Sequence, residues 1–220
     1  MKALILPAPG GLDAIQFTDV PDPGKPKKGE IRVAIKANSL NFHDLLVARG
    51  EIPTEDNRQL LSDGAGVVEA VGEGVTEFKA EDRVISTFFP VWSAGRPMQR
   101  VGSFKEVPGD GQPGVAAEYI VRPVSAFTHA PKHWDHVAAA TIPTSALTAW
   151  RALVVNGRLK AGDCVLTQGT GGVSMIALQL AKQMGARVIA TSSSDEKLAR
   201  LKELGADFTI NYKKLPKWSE

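Results

Sequence analysis

A run of small residues, Gly169-Thr170-Gly171-Gly172, has the composition of a turn that brings the backbone close to a phosphate group. The apolar segment 164–167 precedes the run, and Val173, Ile176 and Leu180 follow it at helical spacing. Glycines between a strand and a helix let the free N–H groups of the first helical turn, assisted by the helix dipole, face an anion. The alternative is a tight structural turn without a ligand. Because the strand, the glycines and the helix are in register, the pattern predicts a diphosphate site formed by Thr170, Gly171, Gly172 and Val173.

The end of the next predicted strand, 187–191, distinguishes between the two nicotinamide dinucleotides. An NAD site normally offers an Asp or Glu about 20 residues after the glycines, whereas this chain has Ser192, Ser193 and, one turn later, Lys197. Hydroxyl groups and an ammonium group can bind a 2′-phosphate that a carboxylate would repel. The sequence therefore predicts NADP(H) as the cofactor. The alternative is that these serines only cap the following helix, since Ser193 and Glu196 have the spacing of a capping box.

Other polar residues allow more than one interpretation. His43 and Asp44 are adjacent and form either a proton relay or a polar pair with no chemical role. Asp195 lies near the predicted nucleotide site, but we expect it to cap the helix rather than to face the ribose. The single cysteine, Cys164, excludes an internal disulfide and a multi-cysteine zinc site.

The composition places the chain among ordinary globular proteins. It has 220 residues, of which 43% are apolar and 23% charged, and its formal net charge is only +2. This balance gives no electrostatic reason to expect nucleic acid or an anionic membrane as a partner. No segment has the length of a signal sequence core or a spanning helix, so we expect a cytoplasmic protein.

The two halves of the chain follow different patterns, and together they predict an α/β fold. Residues 1–125 contain short strands between turn residues, as where Ile31, Val33 and Ile35 alternate with polar or small neighbours, and we expect a small, partly closed β-domain. Residues 126–220 predict helices over 134–140 and 145–155, followed by alternating strands and helices. That order is half of a doubly wound parallel sheet. The segment 88–114, rich in Pro and Gly, has little periodicity and is expected to be a functional or mobile loop.

Five segments, in the same order along the chain, resemble the medium-chain dehydrogenase/reductase superfamily, and most of all its zinc-independent quinone oxidoreductase-like branch. These segments are Ala37-Asn38-Ser39-Leu40-Asn41-Phe42-His43-Asp44, Ser62-Asp63-Gly64-Ala65-Gly66-Val67-Val68, Val71-Gly72-Glu73-Gly74-Val75, Ala117-Glu118-Tyr119 and Gly171-Gly172-Val173. The resemblance implies a GroES-like β-domain followed by a Rossmann-type sheet, with the active site in the cleft between the two.

The resemblance also implies roles for individual residues. Zinc-dependent members of the superfamily have a cysteine ligand where this chain has Asn41 and a His-Glu pair where it has Ser62-Asp63, so no metal is expected. Asn41 would line the nicotinamide and carbonyl pocket, where its amide would be the catalytic oxyanion stabiliser. Thr148 would contact the nicotinamide side of the cofactor. The adenosine 2′-phosphate would be held by Ser192, Lys197 and Tyr212.

Two departures from the family pattern are visible. Glu81 stands where the family usually has a glycine before the aspartate, and it would be strained if the backbone requires a positive φ angle there. The chain stops at Glu220, whereas members of the family continue well beyond this point. We therefore expect an incomplete Rossmann-type domain, and a homodimer is in doubt because the usual dimer edge lies in the missing part.

The leading functional hypothesis is a zinc-independent oxidoreductase that transfers a hydride from NADPH to a quinone, an enone or a related carbonyl compound. Its partner would be this small-molecule substrate. The first alternative is a truncated, non-catalytic protein that binds NADP(H) or interacts with another protein. The second alternative is a zinc-free alcohol dehydrogenase.

Overall fold

The computed structural model describes all 220 residues and divides into two compact units, Met1–Thr144 and Ser145–Glu220. The strands are β1 Lys2–Leu6, β2 Gln16–Asp19, β3 Glu30–Ser39, β4 Arg58–Gln59, β5 Asp63–Val71, β6 Arg83–Ser86, β7 Tyr119–Pro123, β8 Phe127–His129, β9 Cys164–Gln168, β10 Arg187–Ser192 and β11 Phe208–Asn211. The α-helices are α1 Phe42–Ala48, α2 Gln99–Gly102, α3 His136–Ala139, α4 Ser145–Trp150, α5 Gly172–Gln183 and α6 Asp195–Glu203. None of these helices combines the length and the apolar character needed to cross a bilayer.

The first unit is built mainly from antiparallel strands. Five of them form a sheet in the order β7-β3-β5-β6-β8, and three form a sheet in the order β2-β1-β4. The alternation at Ile31 and Val33 puts both side chains, which are fully buried, into a core with Val68 and Val84. The predicted strand at this position is confirmed, and it extends in both directions to Glu30 and Ser39.

One predicted element of the first unit has different bounds. The helix expected over 134–140 is limited to His136–Ala139. Ala139 and Ala140 pack against Ala65 and Ile85, so the segment 126–144 belongs by packing to the first compact unit. The division at Thr144 describes how the chain packs. The domain bounds predicted from the sequence, 1–125 and 126–220, stay a prediction.

The second unit contains the alternating strands and helices that the sequence predicts. Its strands are parallel in the order β11-β10-β9, with α5 connecting β9 to β10 and α6 connecting β10 to β11. Leu178, Val188 and Leu201 form the centre of its core and are almost fully buried. The helix expected over 145–155 is α-helical only to Trp150 and continues as a π-helix over Arg151–Asn156.

The turn between β5 and β6 contains a strained residue. Glu81 has a φ angle of 72°, as the sequence comparison with the family's glycine suggests, and its N–H donates to the Val68 carbonyl at 2.9 Å. A residue with a Cβ atom pays a steric cost in this left-handed conformation, while glycine does not.

We therefore expect Glu81→Gly to raise the free energy of unfolding by about 0.5–1 kcal/mol, the net of relieved strain and the greater entropy of an unfolded glycine. Urea unfolding of the two proteins measures the difference. Asn57→Gly is the matched control because Asn57 also has a positive φ angle, 56°, but asparagine tolerates this conformation. Loss of stability in the Glu81 variant would contradict the assignment of strain.

Candidate functional site

The glycine turn of the second unit connects the end of β9 to the start of α5. Gly169 has a φ angle of 78°. Gly171 directly precedes α5, and no side chain caps the N-terminus of this helix. A Cβ atom added to either glycine would meet no atom within 4 Å, so the backbone of the turn is open to solvent. Ser174 closes the turn by donating from its hydroxyl to the Gln168 carbonyl at 2.9 Å.

These features satisfy the local requirements for binding a diphosphate. Thr170 is half-buried, and Gly171, Gly172 and Val173 are exposed, so the N–H groups of the first helical turn are accessible. Thr148 is exposed on α4, which packs against α5. The free N–H groups and the dipole of α5 favour an anion at this turn. The residues present fit a dinucleotide phosphate, and their role in binding it remains a prediction.

The end of β10 lies beside the end of β11 in the same sheet. Ser192 is only 2% exposed and is paired with Asn211 across the two strands. Its backbone carbonyl accepts a hydrogen bond from the Tyr212 N–H at 3.1 Å. Ser193 is half-buried, whereas Lys197 is exposed. The residues predicted to hold the 2′-phosphate therefore lie at the carboxyl end of the same parallel sheet as the glycine turn, because Gln168 of β9 pairs with Thr191 of β10.

The capping arrangement differs from the prediction. Ser194, not Ser193, precedes α6, and its hydroxyl accepts from the Lys197 N–H at 3.4 Å. The prediction of a Ser193–Glu196 capping box is wrong because β10 extends one residue further, to Ser192, and the helix starts correspondingly later.

Asp195 also has a different role from the expected one. Its carboxylate accepts from Asn211 Nδ2 at 2.6 Å and forms an ion pair with Lys214. The hydrogen bond from Lys214 lowers the pKa of Asp195 most, and that from Asn211 lowers it further. The Asp195 carboxylate is thus already engaged by the segment around the end of β11.

In the first unit, Asn41 and Asp44 form the N-terminus of α1. Asn41 precedes the helix, and the Asp44 carboxylate accepts from the Asn41 N–H at 2.8 Å and from the Ser62 N–H at 3.1 Å. Burial raises the pKa of Asp44, although the hydrogen bond from Asn41 acts in the opposite direction. The side-chain Nδ2 of Asn41 is buried and makes no hydrogen bond of good geometry, but the Asn41 side chain interacts with the Asp63 carboxylate and lowers its pKa. A buried amide donor without a well-formed hydrogen bond is rare, so this amide has capacity left for an acceptor supplied from outside the chain.

His43 is paired with a residue that the sequence does not reveal. Its Nε2 lies 3.2 Å from Oδ2 of Asp110, while Asp44 is occupied by backbone N–H groups. The imidazole ring is packed edge-on to Phe88, with centroids 5.5 Å apart, and is stacked on Phe104 at 5.8 Å. The interpretation of His43 and Asp44 as a pair is therefore wrong. Asp110 lies 67 residues away in a segment without periodicity, so no sequence pattern could identify it.

A second carboxylate of the first unit, Asp63, is fully buried. Thr144 donates to it twice, from Oγ1 at 2.6 Å and from its N–H at 3.1 Å, and the Ser62 hydroxyl donates at 3.3 Å. Burial raises the pKa of Asp63, and the hydrogen bonds from Thr144 partly oppose this effect. Thr144 was not identified from the sequence, because its partner lies 81 residues earlier.

These side chains do not fit a catalytic zinc ion. Zinc in proteins is bound by Cys, His and carboxylate groups, and no group of three or more such residues comes together in this chain. At the position in question the side chains are the amide of Asn41, the hydroxyl of Ser62 and the carboxylate of Asp63, whose oxygens already accept several hydrogen bonds. The absence of a metal remains a prediction, and the donor set supports it.

Two family models match the chain. The alcohol dehydrogenase GroES-like domain matches residues 27–132, and the zinc-binding dehydrogenase model matches residues 172–220. A zinc-type alcohol dehydrogenase-like protein of Schizosaccharomyces pombe is 41% identical over 213 residues, which are 95% of this chain and 61% of that protein.

Solved structures agree with these matches. An NAD-dependent alcohol dehydrogenase has a TM-score of 0.85 and 39% identity, covering 97% of this chain and 64% of that one. A quinone oxidoreductase of Pseudomonas syringae pv. Tomato has a TM-score of 0.77 and 32% identity, covering 96% of this chain and 58% of that one. The chain thus spans about three-fifths of the length of these relatives. The predicted fold class, a GroES-like β-domain followed by a Rossmann-type parallel sheet, is confirmed.

The two buried carboxylates predict how stability depends on pH. Because Asp63 and Asp44 have raised pKa values in the folded state, their contribution to stability is complete below the unfolded value, near 3.8, and is lost as the pH rises through the folded values. We expect the free energy of unfolding of Asp63→Asn to fall less between about pH 4 and pH 7 than that of the wild type, because the asparagine side chain does not ionise.

Urea unfolding at several pH values measures this slope. The exposed Asp13 provides the control, Asp13→Asn. His136, whose pKa is lowered mainly by burial, contributes in the opposite sense in all three proteins and cancels in the difference. Equal slopes for the wild type and the Asp63 variant would contradict the raised pKa.

Proposed function

The chain belongs to the medium-chain dehydrogenase/reductase superfamily, and from this premise we propose that it is an NADP(H)-dependent oxidoreductase. The proposed reaction is hydride transfer from NADPH to a quinone, an enone or a related carbonyl compound, without a catalytic zinc ion. The observation that carries the proposal is the combination, at one edge of the parallel sheet, of an open glycine turn with a strand end that has serines and a lysine. Since the chain spans only part of its relatives, the activity of the whole protein is part of this proposal.

The environment of Ser192 supports NADP(H) over NAD(H). An NAD site depends on a free carboxylate that accepts from the ribose hydroxyls, but the Asp195 carboxylate is held by Asn211 and Lys214. Ser193, Lys197 and Tyr212, beside the buried Ser192, offer accessible hydroxyls and an ammonium group instead, which suits a phosphate dianion. The NAD-dependent alcohol dehydrogenase among the structural neighbours represents the competing cofactor choice.

Each unit has its own tasks in the proposed reaction. The cofactor, when bound, supplies the hydride from its nicotinamide ring. In the second unit, the N–H groups of Gly171, Gly172 and Val173 bind the diphosphate, and Thr148 contacts the nicotinamide side. In the first unit, Nδ2 of Asn41, which makes no well-formed hydrogen bond within the chain, donates to the substrate oxygen and stabilises the negative charge that develops there.

His43 is the proposed proton donor of the first unit. It is the second residue of α1, directly after the Asn41-Phe42 step, and Asp110 holds its Nε2. Its other ring nitrogen, Nδ1, has no hydrogen bond within the chain, and the His43 side chain is 20% exposed, so Nδ1 is the nitrogen proposed to meet the substrate. A carboxylate behind an imidazole fixes the orientation of the ring, as general acid catalysis requires.

The same site in the opposite direction would be an alcohol dehydrogenase that reduces NADP⁺. The names of several relatives favour this alternative. Assays with a panel of alcohols and NADP⁺, run beside quinones and enones with NADPH, separate the two directions. Binding of NADPH without turnover in either panel would instead support a non-catalytic NADP(H)-binding protein.

Lys197→Ala should weaken NADPH binding by about tenfold, because one charge-assisted contact to the 2′-phosphate is lost, and should leave NADH binding unchanged. Isothermal titration calorimetry with both cofactors measures the effect. Lys202→Ala is the matched control, since Lys202 is also exposed on α6 but lies in its last turn. Wild-type protein that binds NADH as tightly as NADPH would refute the cofactor assignment.

His43→Gln should lower kcat for an enone or quinone by about a hundredfold through loss of the general acid, and Asp110→Asn should lower it less, because the imidazole remains. The dissociation constant of NADPH should not change in either variant. His129→Gln serves as control, because His129 is exposed on β8 of the same unit. An unchanged kcat in the His43 variant would exclude this proton donor while leaving the cofactor assignment intact.

A further inference from the structure

A cavity of about 250 Å³ lies within the first unit, between the segment 90–112 and the strands β7 and β8. Most of its wall is apolar and includes Val115, Ile120 and Phe127, whose side chains are almost fully buried. Its volume is slightly below the usual range for pockets that bind drug-sized ligands, so it suits a smaller molecule. Neither Asn41 nor His43 lines it, and the cavity is therefore separate from the groups of the proposed reaction.

Arg122 of β7 supplies the positive charge of this cavity. Its one hydrogen bond runs from Nη2 to the Pro113 carbonyl at 2.8 Å, and it forms no ion pair with a carboxylate. Arginine carries five N–H donors, so most of its hydrogen-bonding capacity has no partner within the chain. Arg122 is half-buried, and burial lowers its pKa because the charged form loses part of its hydration.

The other charged groups around the cavity do not compensate Arg122. Arg100 and Glu106 line the cavity but neutralise one another, since Nε and Nη2 of Arg100 donate to Oε1 of Glu106 at 3.1 and 2.5 Å. Nearby Arg58 adds further positive potential at Arg122, and Glu30 offsets only part of it without forming an ion pair. The net charge presented to a ligand is therefore positive and concentrated at one guanidinium group.

We propose that this cavity binds a small monocarboxylate with a short aliphatic chain, with the carboxylate on the Arg122 guanidinium and the chain against Val115, Ile120 and Phe127. The planar fork of arginine matches a carboxylate through two parallel hydrogen bonds. The apolar wall stabilises the chain by removing it from water.

Other ligand classes fit the cavity less well. A phosphate or sulfate dianion would lie against apolar walls that cannot satisfy its remaining oxygens, and a single arginine would leave part of its charge uncompensated. An amine would be repelled by Arg122. A neutral amide of the same shape would make fewer and weaker hydrogen bonds with the guanidinium than the carboxylate does.

Calorimetric titration of the full chain with acetate, butyrate, hexanoate, butyramide and inorganic phosphate tests the proposal. We expect affinity to rise by about fourfold per methylene from acetate to butyrate, until the cavity is filled. Butyrate should bind at least about tenfold more tightly than butyramide, because only the acid carries the charge. Arg122→Met should remove the preference for butyrate over butyramide, and Arg187→Met, at an exposed arginine of the second unit, should leave it unchanged.

Several results would overturn the proposal. These are equal affinity for butyrate and butyramide, phosphate binding as tight as butyrate binding, unchanged butyrate affinity in the Arg122 variant, and no detectable binding of any carboxylate at millimolar concentration. If Arg122→Met does not fold, the comparison of acid, amide and chain length on the wild-type protein still decides the question. Turnover of NADPH is not involved, so the result does not depend on the proposed oxidoreductase function.

Discussion

A polar group taken out of water must find a partner, and this requirement accounts for most of the polar chemistry in the chain. Asp44 and Asp63 are buried carboxylates, and each accepts at least two hydrogen bonds from backbone or hydroxyl donors. Three sets of groups without a well-formed hydrogen bond inside the chain bear on ligand binding. They are the N–H groups that open α5, the amide Nδ2 of Asn41 and most of the donors of Arg122. These three are donors, so the ligands that would complete them are oxygen acceptors.

The carboxylates in the first unit serve the backbone rather than a metal ion. Asp44 joins the start of α1 to Ser62, and Asp63 joins β5 to Thr144 at the end of the unit. Each therefore fixes a segment that carries no regular hydrogen-bonding pattern of its own. Burial raises the pKa values of both carboxyl groups. Their hydrogen bonds fix the position of Asn41 and of the chain that leaves the unit. Asp63, which the family resemblance places at a zinc-ligand position, thus has a structural role that does not depend on catalysis.

Local patterns predicted the second unit well because its order is local. A strand, a glycine turn and an amphipathic helix follow one another within about 20 residues, and periodicity alone identifies each of them. The site in the first unit could be predicted only in part. Asn41 was found through the family motif, but Asp110 and Thr144 reach His43 and Asp63 across 67 and 81 residues, in segments with no periodicity. The error at Ser193 was smaller and of a different kind, because a strand one residue longer than expected moves the cap to the next serine.

The donors available in the first unit also bear on the class of substrate. A zinc ion polarises an isolated carbonyl group strongly, whereas a neutral amide such as that of Asn41 supplies one hydrogen bond to the developing oxyanion. Hydride addition to a simple ketone concentrates the negative charge on one oxygen, which a single amide stabilises poorly. Addition to an enone or a quinone spreads that charge over a conjugated system, and a proton from a group such as His43 can then complete the reaction. A donor set that does not fit zinc therefore supports the proposal that the acceptor is conjugated, rather than the alternative of interconverting unactivated alcohols and ketones.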